Sequence, residues 1–270
     1  MRKSLIQFAC NIFPQRMTEI AYNRLAVPRT RPVREEEKEI LSQARREVIQ
    51  FKGFQIQTYE WGNGNDKILL VHGWEGNSGN FAYLIKRLVE ADYTVYAFDA
   101  PAHGESSKGE TNVFEFSELV SQMIGKYDVH KLVSHSFGSV ATTYGLSVNP
   151  QLEIDKYVLF TTPDRFEERI NFISSKVGIT DKVKYKLIDK IQDEFQLEVK
   201  RLNVSDFVQS ANVKQALIMH DKNDRLIPHT QAQNVNARWS KSELISIEGT
   251  GHMKILRSDF VIERVLKFLH

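Results

Sequence analysis

The sequence predicts an α/β fold: a mostly parallel central sheet with helices on both faces and a helical cap insertion. Three observations predict it. Short continuous apolar runs such as Ile68-Leu69-Leu70-Val71 alternate with stretches of helical periodicity, the pattern of strands buried on both faces and joined by crossover helices. The alternation pauses over 164–207, where the periodicity is helical and no strand signal occurs, and then resumes. At 131–139 an apolar run passes straight into a helical stretch through Ser136, with the small residues Ser134 and Gly138 two positions either side.

Taken in order, residues 1–50 read as an N-terminal helical arm. Leu5, Ile6, Phe8, Ile12, Phe13, Met17, Ile20 and Leu25 recur at near-helical spacing. Pro28 and Pro32 break that pattern, and 34–48 reads as a charge-rich surface helix. The arm is expected to pack on the main domain. The alternative is a membrane-surface or partner helix, which calls for a more one-sidedly cationic polar face. From Phe51 the texture changes. Residues 54–59 alternate apolar and polar like a half-exposed strand, and 62–65 form a turn. Strands are expected at 68–71, 93–98, 131–134 and 157–160, with helices at 80–90, 113–126 and 137–148 between them. After the insertion come a strand at 215–219, a helix at 230–239, a strand at 243–247 and a helix at 260–269. The expected organisation is an arm over 1–50, an α/β core over 51–163 and 211–270, and a cap over 164–210.

Composition narrows the function. With 270 residues, 41% hydrophobic and 26% charged, the chain has the balance of a soluble globular protein. A net charge of +2 supplies no global field for nucleic acid or an anionic membrane. The single cysteine, Cys10, excludes an intrachain disulfide and fits a reducing, cytoplasmic setting. The apolar stretch from Leu5 to Phe13 is short, interrupted by Gln7 and Asn11, and followed by no small-residue cleavage site, so a secretory leader is not expected. No apolar run approaches the ~20 residues that span a bilayer. No Cys, His and carboxylate cluster has metal-ligand spacing, and no glycine-rich phosphate loop is present. Neither metal nor cofactor is expected. No sequence pattern sets the oligomeric state.

The chemistry concentrates in loops after predicted strands. A strand running into a helix through Ser136 meets the physical requirement of a nucleophile elbow: a turn this tight lifts the serine hydroxyl clear of the sheet and tolerates only small flanking residues. The following helix aims its N-terminal N–H groups at the site. Taken alone, the segment reads equally as a serine capping an ordinary helix. The loop Asp99-Ala100-Pro101-Ala102-His103-Gly104-Glu105-Ser106 is more specific. It resembles the Asp-x-Pro-Gly-His-Gly-x-Ser loop of α/β-hydrolases, with Ala102 in place of one glycine, and Ser134 likewise replaces the first glycine of that family's Gly-x-Ser-x-Gly elbow. His72-Gly73-Trp74 follows a buried strand as the family's oxyanion segment does. His220-Asp221-Lys222-Asn223-Asp224-Arg225-Leu226-Ile227-Pro228 resembles its acid loop, and Gly249-Thr250-Gly251-His252 its histidine loop. The resemblance covers roughly 51–270, in the chain order serine, acid, histidine.

What the resemblance implies is a serine hydrolase whose partner is a small-molecule acyl substrate, a carboxylic ester or thioester. Ser136 would be the nucleophile, His252 the base and Asp224 the acid that orients it, with backbone N–H groups of Trp74 and Phe137 as the oxyanion hole. His72 and His103 would be scaffold residues, His135 would pack or hydrogen-bond beneath the elbow, and Asp221 would be a turn residue. Asp164 stands where some members of the family carry their acid. The cap should cover the site with the apolar faces that Phe166, Phe172, Ile173, Tyr185, Leu187, Phe195 and Phe207 supply. Most of these would pack the cap onto the core; Phe166 and Phe172, with the Trp74 side chain, are the candidate substrate contacts. Aminopeptidase, lipase and carbon–carbon bond hydrolase chemistry remain open on the same scaffold, as does a non-catalytic binding protein.

Overall fold

The computed structural model describes residues 2–29 and 31–270. The chain opens with two helices, α1 (Arg2–Ile12) and α2 (Pro14–Ala26), then α3 (Glu35–Ser42). A hairpin follows, β1 (Arg45–Phe51) and β2 (Phe54–Trp61). The crossover part then runs β3 (Asp66–Val71), α4 (Ala82–Glu90), β4 (Tyr93–Phe98), α5 (Val113–Tyr127), β5 (Lys131–His135), α6 (Phe137–Val148) and β6 (Ile154–Phe160). The insertion supplies α7 (Phe166–Val177), α8 (Asp181–Phe195) and the short α9 (Val204–Phe207). β7 (Val213–Asp221), α10 (His229–Ala237), β8 (Ser242–Ile247), α11 (Gly251–Lys254) and α12 (Asp259–Leu269) complete the chain.

The strands form one eight-stranded sheet in the order β1-β2-β4-β3-β5-β6-β7-β8. β1 and β2 pair antiparallel, β2 joins β4 antiparallel, and every pairing from β4 to β8 is parallel. The period of two along β3 divides the core: Leu69 and Val71 face one apolar cluster with Phe116, Leu119 and Val140, while Ile68 and Leu70 face another with Leu84, Ile85 and Val265. Burial on both faces explains the unbroken apolar runs of β3 and β4.

The structure corrects the expected helix over 34–48. α3 stops at Ser42, and Arg45–Phe51 is an edge strand in register with β2, Ile49 opposite Ile56 and Phe51 opposite Phe54. Lys52 and Gly53 form the turn, both at positive φ (45° and 84°), the conformation of a two-residue hairpin loop that suits right-twisted strands. The hairpin therefore overrides the charge spacing read as helical, and β1 belongs to the sheet rather than to the 1–50 arm. Its exposed charges bond across the sheet and to a helix, Arg45 with Glu60 at 2.5 Å and Glu47 with Lys126 at 2.8 Å, and charged residues of this kind blunt an open edge.

Within the arm, α3 packs on the core through Ile40 and Leu41, while α2 turns to the insertion. α2 packs on the insertion: Ala21 shares an apolar cluster with Ile170, Leu187, Ile188, Ile191 and Val199, joined by Tyr22 and Leu25. Lys190 of α8 pairs with Glu19 of α2 at 3.0 Å. Arm and insertion thus make one helical roof.

Candidate active site

Ser136 stands between β5 and α6 at φ 54°, ψ −122°, a left-handed setting that costs a β-carbon-bearing residue about 1–3 kcal/mol and persists only where its surroundings enforce it. Here its N–H donates to the Phe160 carbonyl at 2.9 Å, and α6 leaves immediately. Gly138 must be glycine, because a β-carbon there would lie 2.4 Å from the His72 carbonyl oxygen. Ser134, the departure from the family pattern, is accommodated by partners: its buried hydroxyl donates to Ser139 Oγ at 2.9 Å and shares a 2.7 Å hydrogen bond with the Tyr157 hydroxyl.

The loop after β7 and the loop after β8 bring the other two predicted residues to Ser136. The Asp224 side chain is fully buried. Its Oδ1 accepts the N–H groups of Leu226 (2.7 Å) and Ile227 (3.0 Å), which leaves Oδ2 for His252 Nδ1 at 2.7 Å. The carboxylate fixes the proton on Nδ1, so His252 turns its lone pair on Nε2 toward Ser136 Oγ, 3.1 Å away. Burial works against the charge on Asp224, but the hydrogen bond and charge of His252 and the two backbone donors outweigh it and hold the carboxyl below its ordinary range.

Two neighbours escaped sequence reasoning. Asp221, read as a turn residue, accepts the N–H groups of Thr250 (2.5 Å) and Gly251 (2.8 Å) and the Thr250 hydroxyl on Oδ2, and the Asn223 N–H on Oδ1. It ties the histidine loop to the acid loop. His220 is buried, donates Nε2–H to the Ile227 carbonyl at 3.0 Å and lies 3.7 Å from Asp224 Oδ2. The signal for Asp221 was present: an acid at the end of a buried strand rarely stays unpaired. Asp164 is held elsewhere, by the Ser205 N–H on Oδ1 at 2.8 Å.

The histidines near the elbow behave as braces. His72 Nδ1–H donates to the Gly73 carbonyl (2.8 Å) while Nε2 accepts the Ala100 N–H (3.0 Å). His103 Nδ1–H donates to the Pro101 carbonyl at 2.8 Å. His135 lies beneath the elbow and donates Nε2–H to the His252 carbonyl at 3.0 Å. Burial, reinforced by the neighbouring His72 and His252 respectively, pushes His103 and His135 down to about 3, so both rings are neutral at physiological pH. Among the described residues, the backbone N–H groups of Trp74 and Phe137 donate to nothing. The loop carrying Trp74 approaches closely: a β-carbon on Gly73 would lie 3.1 Å from Ser136 Cβ. Glu75, at φ 57°, anchors that loop to the segment between α2 and α3 through Arg29 Nε (2.9 Å) and Arg31 Nη2 (2.8 Å).

A cavity of about 740 Å³ opens above Ser136 and His252. Trp74 lines it, with its ring edge-on to Phe137 and His103. Phe166 and Phe172 do not line it, which corrects the expected substrate contacts. Phe166 packs into the roof cluster, and Phe172 lies under the cations of Arg169 and Lys176 at 5.6 and 5.4 Å. The helix turns Ile170, Ile173, Ser174 and Val177 to the cavity instead, a set spaced i, i+3, i+4, i+7 on one face. The arm contributes Ile6, Met17, Ile20 and Leu25.

Among the described residues no cluster of His, Cys, Asp and Glu could hold a metal ion, and no helix is long and apolar enough to cross a membrane. A family model described as the alpha/beta hydrolase fold matches residues 67–172. The dihydrolipoyllysine-residue acetyltransferase component of the acetoin cleaving system of Pseudomonas putida is 33% identical over 94 residues, 33% of this chain and 25% of that protein. The pimeloyl-acyl-carrier-protein methyl ester esterase of Aliivibrio salmonicida is 24% identical over 163 residues, 57% of this chain and 56% of that one. The matches to the first curated relatives span between 21% and 33% of those proteins' own length. Among solved structures, a membrane phospholipase A superposes with a TM-score of 0.66 at 14% identity, covering 98% of this chain and 96% of that one; at that identity the likeness shows the fold. Sheet order, elbow and the match over 67–172 together give this chain the α/β-hydrolase fold.

Proposed function

We propose that the protein is a serine hydrolase that cleaves a carboxylic ester or thioester. The observation that carries this reading is the unbroken hydrogen-bond chain from Ser136 Oγ through His252 to Asp224 at the base of the cavity. Ser136 Oγ attacks the substrate carbonyl while its proton passes to His252 Nε2. The free N–H groups of Trp74 and Phe137 receive the charge that develops on the carbonyl oxygen, and one such donor is worth about 10²–10³ in rate. His252 then returns the proton to the leaving oxygen or sulfur as the bond to it breaks, giving an alcohol or thiol and an acyl-Ser136. Water, deprotonated by the same imidazole, releases the acid. Asp224 stays ionised throughout and stabilises the imidazolium. The named activity of the methyl ester esterase relative is of this class.

A fluorophosphonate probe followed by peptide mapping tests the assignment. Wild type is expected to label at Ser136, and Ser136→Ala to lose both labelling and ester hydrolysis, by at least about 10⁴-fold. Asp224→Asn is expected to bind substrate normally and lose about 10⁴-fold in kcat, because the amide imposes the wrong tautomer on His252. A Ser136→Ala protein that retains wild-type hydrolysis would sink the reading.

A further inference from the structure

The cavity above Ser136 is charged out of proportion to the molecule. The whole chain carries +2, yet five arginines and two glutamates line this one concavity. Three of the arginines have partners: Arg29 and Arg31 meet Glu75, and Arg34 lies 3.8 Å from Glu37. Arg24 and Arg169 form no ion pair among the described residues.

Arg169 is the more telling of the two. It projects from α7, is half-buried, and spends one N–H on the Leu226 carbonyl at 2.7 Å. A guanidinium offers five donors in a planar fork that matches a phosphate or carboxylate. Burial disfavours its charge and nearby Asp224 favours it. A cation drawn partly out of water with no anion in contact is costly, and low-dielectric concave walls focus its field on an occupant. Ile170 and Ile173 on α7 and Leu187 on α8 make the wall apolar.

We propose that the ester or thioester carries a phosphate or carboxylate that docks on Arg169, with Arg24 reinforcing from the arm, while its acyl chain lies along Ile170, Ile173 and Leu187. The bond broken rests on the serine-hydrolase reading; the charge preference belongs to the cavity and is measured separately. Arg169 also braces the acid loop through Leu226, and a purely structural role would lower activity toward every substrate alike. A docking role changes the ratio between charged and neutral substrates.

Two matched pairs separate the sources of the anion: octanoyl-coenzyme A against octanoyl-N-acetylcysteamine for phosphate, and nitrophenyl octanoate bearing a ring carboxylate against plain nitrophenyl octanoate. Binding to the Ser136→Ala protein by calorimetry reads the proposal without turnover, and kcat/KM of wild type reads it with turnover. The charged member of at least one pair is expected to bind about tenfold or more tightly, with the preference shrinking as salt rises. Arg169→Gln is expected to cut that ratio by about tenfold, Arg169→Lys to restore most of it, and Arg24→Gln, at an exposed position, to cut it by about threefold. Equal affinity for both members of both pairs overturns the proposal, as does a ratio that Arg169→Gln and Arg24→Gln leave unchanged. Failure of the hydrolase reading has a different signature: charge-selective binding persists in a protein that hydrolyses nothing and resists fluorophosphonate.

Discussion

Asp221 illustrates what a single side chain does in this site. It touches neither Ser136 nor His252, yet three backbone N–H groups and a hydroxyl converge on it. Burial raises the cost of its charge, and those donors more than compensate, leaving the carboxyl below its ordinary range. Asp221→Ala would strand the N–H groups of Thr250 and Gly251 at the base of the histidine loop. The expected result is a loss of about 2–4 kcal/mol in unfolding free energy, and a fall in kcat larger than any change in KM, because His252 loses its fixed approach to Ser136. Urea denaturation and steady-state kinetics on one ester check both. This residue also marks a limit of sequence reading. Asp224 and His252 stand out through chain order and loop pattern, whereas the role of Asp221 requires knowing that the Thr250 loop lies against the end of β7. Ala102 and Ser134 show the converse. Both departures from glycine were visible in the sequence, and the structure gives their terms: Ala102 accepts a φ of 67°, and Ser134 finds two hydroxyl partners.

At the level of elements, the crossover strands were the most legible, because burial on both faces writes continuous apolar runs into the sequence. β1 was not, since its exposed face carries glutamate and arginine at spacings that a surface helix also shows; the turn residues Lys52-Gly53 were the better guide. α7 was legible as a helix but not as a surface. Its phenylalanines promised a pocket lining, while the packing of α7 against α2 and α8 turns Ile170 and Ile173 to the cavity. Ile173→Trp fills part of that space. The expected outcome is a fall of about tenfold in kcat/KM for an octanoyl ester, with less than about twofold change for an acetyl ester. A panel of nitrophenyl esters of increasing chain length measures it.

For the molecule as a whole, the buried histidines set a dependence of stability on pH. His103 and His135 sit at about 3 in the folded state against an ordinary 6.5. The unfolded chain therefore binds more protons as pH falls below about 6.5, and folding loses stability across that window down to the folded values. Each ring is expected to cost about 2 kcal/mol between pH 7 and pH 5. Guanidinium unfolding midpoints at the two pH values test this, and His103→Asn, whose amide can donate to Pro101 as the ring does, is expected to lose less on acidification than wild type.

The shared roof has a consequence in time. Glu19 and Lys190, which clasp α2 to α8, are 171 residues apart. A ribosome making about 5–20 residues per second finishes the first helices many seconds before their docking surface exists. α2 is thus made long before the surface it settles on, and its apolar face stays unsheltered until α8 has been synthesised.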